Sequence, residues 1–249
     1  MNLTGKKVLL TGGVRGLGRA TVEKLVAKGA TVCVFDIDTT GLTELAQQVP
    51  GVGAIQCDVS SADDVARAMG QYHEQYRCAD VLVNNAGILS SAPLVRITPT
   101  GIETHDINLW NKTLAINLTS VFLMTSAVVS RMVTTRTRGV IVNISSVSAG
   151  GNAGQSAYSA AKAGVNALTA TWAKELSLLG IRVIAIAPGF TETESTKQAV
   201  SEQVLKETIS RVPLRRLGRA EEIAQAVVAA VENDFFNGKT WAVDGGLVI

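Results

Sequence analysis

The stretch Thr11-Gly12-Gly13-Val14-Arg15-Gly16-Leu17-Gly18 decides the reading of this chain. It follows the apolar run Val8-Leu9-Leu10 and opens a segment, 16–28, whose apolar residues recur at helical spacing and which stops at Gly29, a helix-ending residue. Four glycines in seven positions permit a tight turn and a close backbone approach to a ligand. A helix N-terminus placed after such a turn offers free N–H groups and the positive end of its dipole to a pyrophosphate. No Gly-Lys-Ser/Thr follows, so the turn is not the triphosphate-binding kind. Gly12, Arg15, Gly16, Leu17 and Gly18 are therefore candidate dinucleotide-binding residues.

Working outward, short apolar runs at 8–10, 31–35, 53–57, 81–83, 140–144, 182–186 and 240–243 read as strands. Several have no polar alternation, as expected of strands covered on both faces. Helical patterns lie between them: after the cap signal Ser60-Ser61, and at 111–133, 158–179 and 220–231. Alternating strands and helices predict an α/β fold, a single-domain Rossmann-type doubly wound parallel sheet of about seven strands with helices on both faces. No linker, repeat or charge block divides residues 1–249, so one domain is expected to hold both cofactor and substrate. Ligands of such sheets sit beyond the carboxyl ends of the strands. Asp36 ends the second strand about 20 residues after the glycines, where a carboxylate binds ribose hydroxyls and repels a 2′-phosphate. That favours NAD(H). Arg15 could hold a 2′-phosphate and keeps NADP(H) as the alternative. Asp38 reads as an exposed loop acid. Asp58 and Val59 follow the third strand, Asp58 being a candidate for the adenine amino group or a helix cap.

The 249 residues are 47% hydrophobic and 18% charged, which excludes a disordered chain and allows a sizeable core. Twenty-three basic residues against 21 acidic ones give a net charge of +2, no basis for a nucleic-acid partner. Cys33, Cys57 and Cys78 are scattered and odd in number, as in a reducing compartment. Two histidines, no paired Cys and no Glu-x-x-His leave no metal site to expect. No apolar run approaches the roughly 18 residues of a membrane span, and no signal-peptide core precedes residue 11. The expectation is a soluble cytoplasmic protein without a membrane partner.

A resemblance then becomes plain. Asn84-Asn85-Ala86-Gly87, Asn117, Asn143-Ile144-Ser145-Ser146, Tyr158-Ser159-Ala160-Ala161-Lys162 and Pro188-Gly189 follow the glycine loop in order, and Arg216-Leu217-Gly218 and Val243-Asp244-Gly245-Gly246 extend the match. Together they resemble the single-domain short-chain dehydrogenase/reductase family. The chemistry also stands by itself. Tyr158 and Lys162 are four apart and share a helix face. An ammonium near a phenol favours phenolate and lowers a pKa that is ordinarily near 10. Tyr158 could then exchange a proton with a substrate oxygen during hydride transfer. The resemblance implies that Lys162 also holds the nicotinamide ribose. It implies that a strand-end serine binds the substrate oxygen. The strand pattern selects Ser146, whereas counting back from Tyr158 selects Ser145; Ser146 is the one assigned. It implies that Asn117 bends its helix and joins a proton relay, that Asn85, Ala86 and Gly87 border the adenosine, and that Pro188, Gly189, Thr191 and Thr193 meet the nicotinamide amide.

Asn152-Ala153-Gly154-Gln155 and Pro188-Gly189-Phe190-Thr191-Glu192-Thr193 are similar to 3-oxoacyl-acyl-carrier-protein reductases. Arg131 and Lys174 match two basic residues with which those reductases dock an acidic carrier, although solvated helix charges are an equal reading. Segment 88–110 departs from the pattern. It is several residues longer than usual, carries Pro93, Pro99 and Gly101, and reads as an extended substrate loop in which His105 is exposed. Segment 190–213 reads as a lid. The leading expectation is a 3-oxoacyl thioester reductase; a catabolic secondary-alcohol or 3-hydroxyacyl dehydrogenase comes second, and a non-catalytic dinucleotide sensor third. A homotetramer or homodimer, joined through 111–133 and 158–179, is implied by the resemblance.

Overall fold

Each strand of the expected sheet forms, and the five inner ones send alternate residues into two separate cores. The computed structural model describes residues 1–193 and 202–247. Seven strands, β1 (Lys7–Thr11), β2 (Thr31–Asp36), β3 (Gly53–Gln56), β4 (Val81–Asn84), β7 (Gly139–Ile144), β8 (Ile181–Pro188) and β9 (Thr240–Val243), build one parallel sheet. Their order is β3-β2-β1-β4-β7-β8-β9. Val8 and Leu10 of β1 face helix α1 (Gly16–Ala27) and the helix Ala220–Glu232, whereas Leu9 between them faces the opposite layer. That layer holds α3 (Ala62–Tyr76), α5 (Ser120–Thr135) and α6 (Ser156–Leu176). Burial on both sides explains the unbroken aliphatic runs. The order reverses between β1 and β4, and the cleft described below opens there, at the carboxyl ends.

Four features differ from expectation. First, part of segment 88–110 is a β-hairpin, β5 (Val95–Thr98) and β6 (Gly101–Thr104), not an extended loop. Pro99 and Thr100 are its turn, with Gly101 opening β6, and the β-branched Val95, Ile97, Ile102 and Thr104 flanking them favour strand. Ion-paired Arg96 and Glu103 sit opposite each other. Second, α2 (Thr39–Gln48) has no clear signal in sequence, because Thr39, Thr40, Gly41 and Thr43 are weak helix formers. Asp38 is its N-cap, accepting from Gly41 N–H at 2.9 Å, rather than a loop acid. Third, the helix expected at 111–133 starts at Ile107, where Asp106 caps α4 (Ile107–Leu114). Fourth, α4, a π-helical turn (Ala115–Thr119) and α5 make a 29-residue helical run with an 18-residue stretch of mean hydropathy 1.6, long and apolar enough by composition to cross a membrane. The expectation of no such run is corrected. Asn108, Asn111, Lys112 and Asn117 break its apolar pattern. One face, including Val121, Met124, Val128 and Met132, is buried in the fold, while Phe122 and Val133 are exposed.

Within the expected lid, Glu202–Arg211 is helical, and residues 194–201 lie outside the described residues.

Candidate active site

The nucleotide half of the cleft is built by backbone. Arg15 occupies the N-cap of α1 in extended conformation and supplies no side-chain cap, so the first-turn amides at Gly16, Leu17 and Gly18 line the cleft uncapped. Gly12 has φ +71°, and a Cβ there would lie 2.8 Å from the Ala86 backbone. Thr11 and Asn85 lock the two strand ends. The Thr11 hydroxyl accepts from the N–H groups of Asn85 and Ala86, both at 3.1 Å. The Asn85 amide donates to the carbonyls of Thr11 (3.0 Å) and Gly12 (2.7 Å). Asn85 is thus a clamp on the glycine loop as well as part of the wall. Asp36 accepts from Val14 N–H (3.3 Å) and Asp38 N–H (3.1 Å), which fixes its carboxylate at the rim. Asp58 holds Ser60 through its amide and hydroxyl (2.9 and 2.6 Å); Ser61, not Asp58, caps α3.

The other half is built by side chains. Asn117 is fully buried in the π-helical turn. Its amide donates to the carbonyls of Ile88 and Thr113, both at 3.0 Å, and its oxygen accepts from Ile88 N–H at 3.2 Å. A buried amide so satisfied ties the loop after β4 to the distorted helix. Lys162 Nζ donates to the Ile144 carbonyl at 2.7 Å and lies 5.7 Å from the Tyr158 ring centre. The Ser146 hydroxyl lies close enough to the Tyr158 phenol to act on its titration. The Ser145 hydroxyl is buried and turned to the Lys162 carbonyl at 3.4 Å. Ser146 therefore sits beside the phenol, and the Ser145 hydroxyl is spent on the α6 backbone. Burial pushes the Tyr158 phenol above its ordinary value, with the Ser146 bond opposing. Burial also lowers Lys162 from 10.5 to about 8. The expected depression of the phenol by Lys162 is not found. Desolvation sets the direction, and the Lys162 Nζ is bonded to the Ile144 carbonyl instead.

Glycine loop, acid, asparagine, serine, tyrosine and lysine thus line one cleft of about 350 Å³. A family model for short chain dehydrogenases matches residues 6–204. The chain belongs to the short-chain dehydrogenase family. A 3-oxoacyl-[acyl-carrier-protein] reductase of Thermotoga maritima is 40% identical, over the whole of both chains. A namesake from Vibrio harveyi is 38% identical over 99% of each. A (3R)-3-hydroxyacyl-CoA dehydrogenase of Canis lupus familiaris is 36% identical over 99% of this chain and 98% of its own.

This short-chain dehydrogenase is accordingly an oxidoreductase of alcohol and ketone groups that uses a nicotinamide cofactor. Every candidate catalytic or cofactor-binding residue read from the sequence lines the cleft: Gly12, Arg15, Gly16, Leu17, Gly18, Asp36, Asp58, Val59, Asn85, Ala86, Gly87, Asn117, Ser146, Tyr158, Lys162, Pro188, Gly189, Thr191 and Thr193. Sequence reasoning missed Ile88, Leu89, Ile116, Val147, Phe190 and Gln155. The aliphatic ones look like core residues, and only their places beside Gly87, Asn117 and Ser146 could have marked them. Of segment 88–110 only Ile88 and Leu89 reach the cleft; the hairpin stands exposed outside it.

Lys162 gives a pH prediction. Its folded value of about 8 lies below 10.5, so below pH 8 it is cationic and above pH 8 largely neutral. Affinity for the anionic dinucleotide should fall as pH rises through 8, and Lys162→Met should flatten that dependence; a pH series of fluorescence titrations reads it. The unfolded chain holds the proton more tightly between about 8 and 10.5, so this group's contribution to stability rises with pH in that window.

Proposed function

We propose that this enzyme interconverts 3-oxoacyl and 3-hydroxyacyl thioesters, within one domain spanning 1–249. The observation that carries the reading is the Ser146–Tyr158 hydroxyl pair at the inner end of the dinucleotide cleft. Its substrate class rests on relatives named 3-oxoacyl-[acyl-carrier-protein] reductases that match the chain end to end. Ser146 donates to the 3-oxo oxygen, and Tyr158 delivers a proton to that oxygen as its carbon is reduced. Lys162 binds ribose hydroxyls, and Asn117 ties the loop after β4 to the π-helical turn. A bound nicotinamide supplies or accepts the hydride. The residues fit it: the uncapped amides of α1 suit the pyrophosphate, Asp36 and Asp58 the adenosine, and Pro188, Gly189, Thr191 and Thr193 the nicotinamide amide.

NAD(H) is the favoured cofactor. A 2′-phosphate beside the fixed Asp36 carboxylate meets a like charge at close range, and Arg15 is the counterweight. Fluorescence titration should show tighter binding of NADH than of NADPH. Asp36→Asn should narrow the gap at least tenfold, and preference for NADPH in the native protein would overturn the assignment. Binding of neither would remove the enzymatic reading altogether. A (3R)-3-hydroxyacyl dehydrogenase is the second reading, favoured by Asp36 and by the relative of that name; faster NAD-dependent oxidation than reduction at matched pH would select it. The dinucleotide-sensor reading requires binding without turnover.

Carrier docking is proposed through Arg131 and Lys174. Arg131 is partly committed, donating to the Arg77 carbonyl at 3.0 Å, and Lys174 is exposed. A homodimer or homotetramer would cover the open face of the 107–135 run, including Phe122 and Val133, and adjoining parts of α6. With that face covered, the protein is read as soluble and cytoplasmic.

A further inference from the structure

The hairpin β5–β6 stands outside the cleft and takes no part in the chemistry above. Every one of its strand residues is exposed except Thr98, which is half-buried. Its two faces differ. Val95 stands opposite Thr104 and Ile97 opposite Ile102 on one face, and Arg96 opposite Glu103 on the other. The first face carries no charge, and Val95, Ile97 and Ile102 on it are 51%, 85% and 73% exposed. The second carries the ion pair. A two-stranded hairpin alone is marginally stable in water, and it gains stability when its apolar face is covered. Among the described residues no helix or strand of this chain covers that face.

Charge and continuity say what does. Between Leu94 and His105 the charged residues are Arg96 and Glu103, and they are paired with each other. An acidic carrier requires basic partners, and a membrane-surface face requires a rim of Lys or Arg. The hairpin offers neither. An uncharged apolar face is complementary to itself, as a two-fold interface demands. The hairpin also adjoins a larger open face. His105 N–H closes its base on the Leu94 carbonyl at 3.0 Å, Asp106 caps α4, and Ile107, 63% exposed, begins the long helical run. Asn111, Thr119, Phe122, Ser126, Ser130 and Val133 continue along that run as an exposed stripe without charge, at helical spacing. A stable dimer takes about 20 residues a side. The hairpin is too small by itself, and the hairpin with the stripe approaches that size.

We infer that the apolar face of β5–β6 packs against a second copy of this chain about a two-fold axis, extending the interface proposed for the 107–135 run. The contact reaches the edge of the substrate cleft. Just before the hairpin, Ala92 N–H and the Ser91 hydroxyl donate to the Gly154 carbonyl at 2.7 and 3.3 Å, and Ala92 bridges the cleft-lining Gln155.

Sedimentation velocity over a dilution series tests this on the native protein, on Ile97→Lys, on Ile97→Thr combined with Ile102→Thr, and on Glu103→Gln. The native species should have two or four times the mass of one chain. Ile97→Lys puts two like charges into one apolar interface and should raise the dissociation constant about 100-fold or more. The threonine pair keeps β-branched strand formers and carries the test if lysine disturbs the hairpin; it should raise the constant about 10-fold or more. Glu103→Gln, on the other face, should leave it unchanged. Dinucleotide affinity reads a cleft that the hairpin does not enter, so it should be the same in all four and shows that each is folded. A native oligomer whose dissociation neither Ile97→Lys nor the threonine pair moves would overturn the hairpin's part and leave the helical face standing. A native monomer would overturn both. A monomer that binds phosphatidylcholine vesicles or acyl carrier protein, and loses that binding in Ile97→Lys, would give the face to lipid or carrier instead.

Discussion

Tyr158→Phe is expected to lower turnover by about 10³-fold while the dinucleotide still binds, since a positioned general acid contributes roughly 10²- to 10⁴-fold. The variant removes one oxygen and keeps the ring. That ring lies beside Lys162 Nζ, and Lys162 holds the Ile144 carbonyl independently of the phenol. The wall that binds cofactor should therefore persist. What disappears is the proton donor paired with Ser146. Burial keeps this phenol protonated at neutral pH, the state needed to give a proton to a ketone oxygen. For alcohol oxidation the same group must first lose its proton, so that direction should speed up with rising pH. Steady-state rates and a fluorescence titration on one preparation separate the two effects. Retained turnover would remove Tyr158 from the chemistry.

Gly18→Ala should damage binding and folding together. A Cβ at Gly18 would lie 1.9 Å from the Gly12 carbonyl oxygen and 2.6 Å from Asn85 Nδ2. Neither neighbour can yield freely. Gly12 N–H is bonded to the Phe35 carbonyl at 2.8 Å, and Asn85 clamps Thr11 and Gly12. Forcing a methyl into packed backbone costs about 1 to 3 kcal/mol, which lowers Tm by about 5 °C in a domain of this size. The first turn of α1 must move, and its amides leave the pyrophosphate position. Dinucleotide affinity should fall on the order of 100-fold. Gly70→Ala at an exposed position of α3, where an added Cβ meets nothing within 4 Å, is the control and should leave both properties unharmed.

Strands were legible because they are doubly buried: Val8-Leu9-Leu10 and Val140-Ile141-Val142 have no polar face to confuse with a helix pattern. Helix α2 was not, since its stability comes from Leu42 and Leu45 packing on the core rather than from propensity. The hairpin was hidden by its own turn residues. Pro99 and Gly101 mark a break, but the four-residue strands beside them are too short for a pattern. The motif-bearing residues could be placed in the site from their order alone. The choice between Ser145 and Ser146 needed coordinates, because it depends on which hydroxyl turns toward Tyr158 and which toward the Lys162 backbone. The protonation balance of Tyr158 and Lys162 was also out of reach, for it is set by burial, a property of the folded cleft.

Beneath the cleft lies another feature that only the fold reveals. Asn84 and Asn143 are register partners on β4 and β7, and Asn84 Nδ2 donates to Asn143 Oδ1 at 2.9 Å. The same group donates to Thr125 on α5, while Asn143 Nδ2 donates to Thr169 on α6, each at 2.9 Å. Four buried polar side chains thus pin both helices to the strand ends that carry Asn85 and Ser146. This places the proton donor of α6 at a set height above the sheet.

The most direct measurement is cofactor consumption by the purified enzyme given NADH or NADPH and an acetoacetyl thioester, with the product identified by NMR. Thioester-dependent oxidation of the cofactor with formation of the 3-hydroxyacyl thioester is the predicted result. Tight dinucleotide binding with no consumption of either cofactor would contradict it.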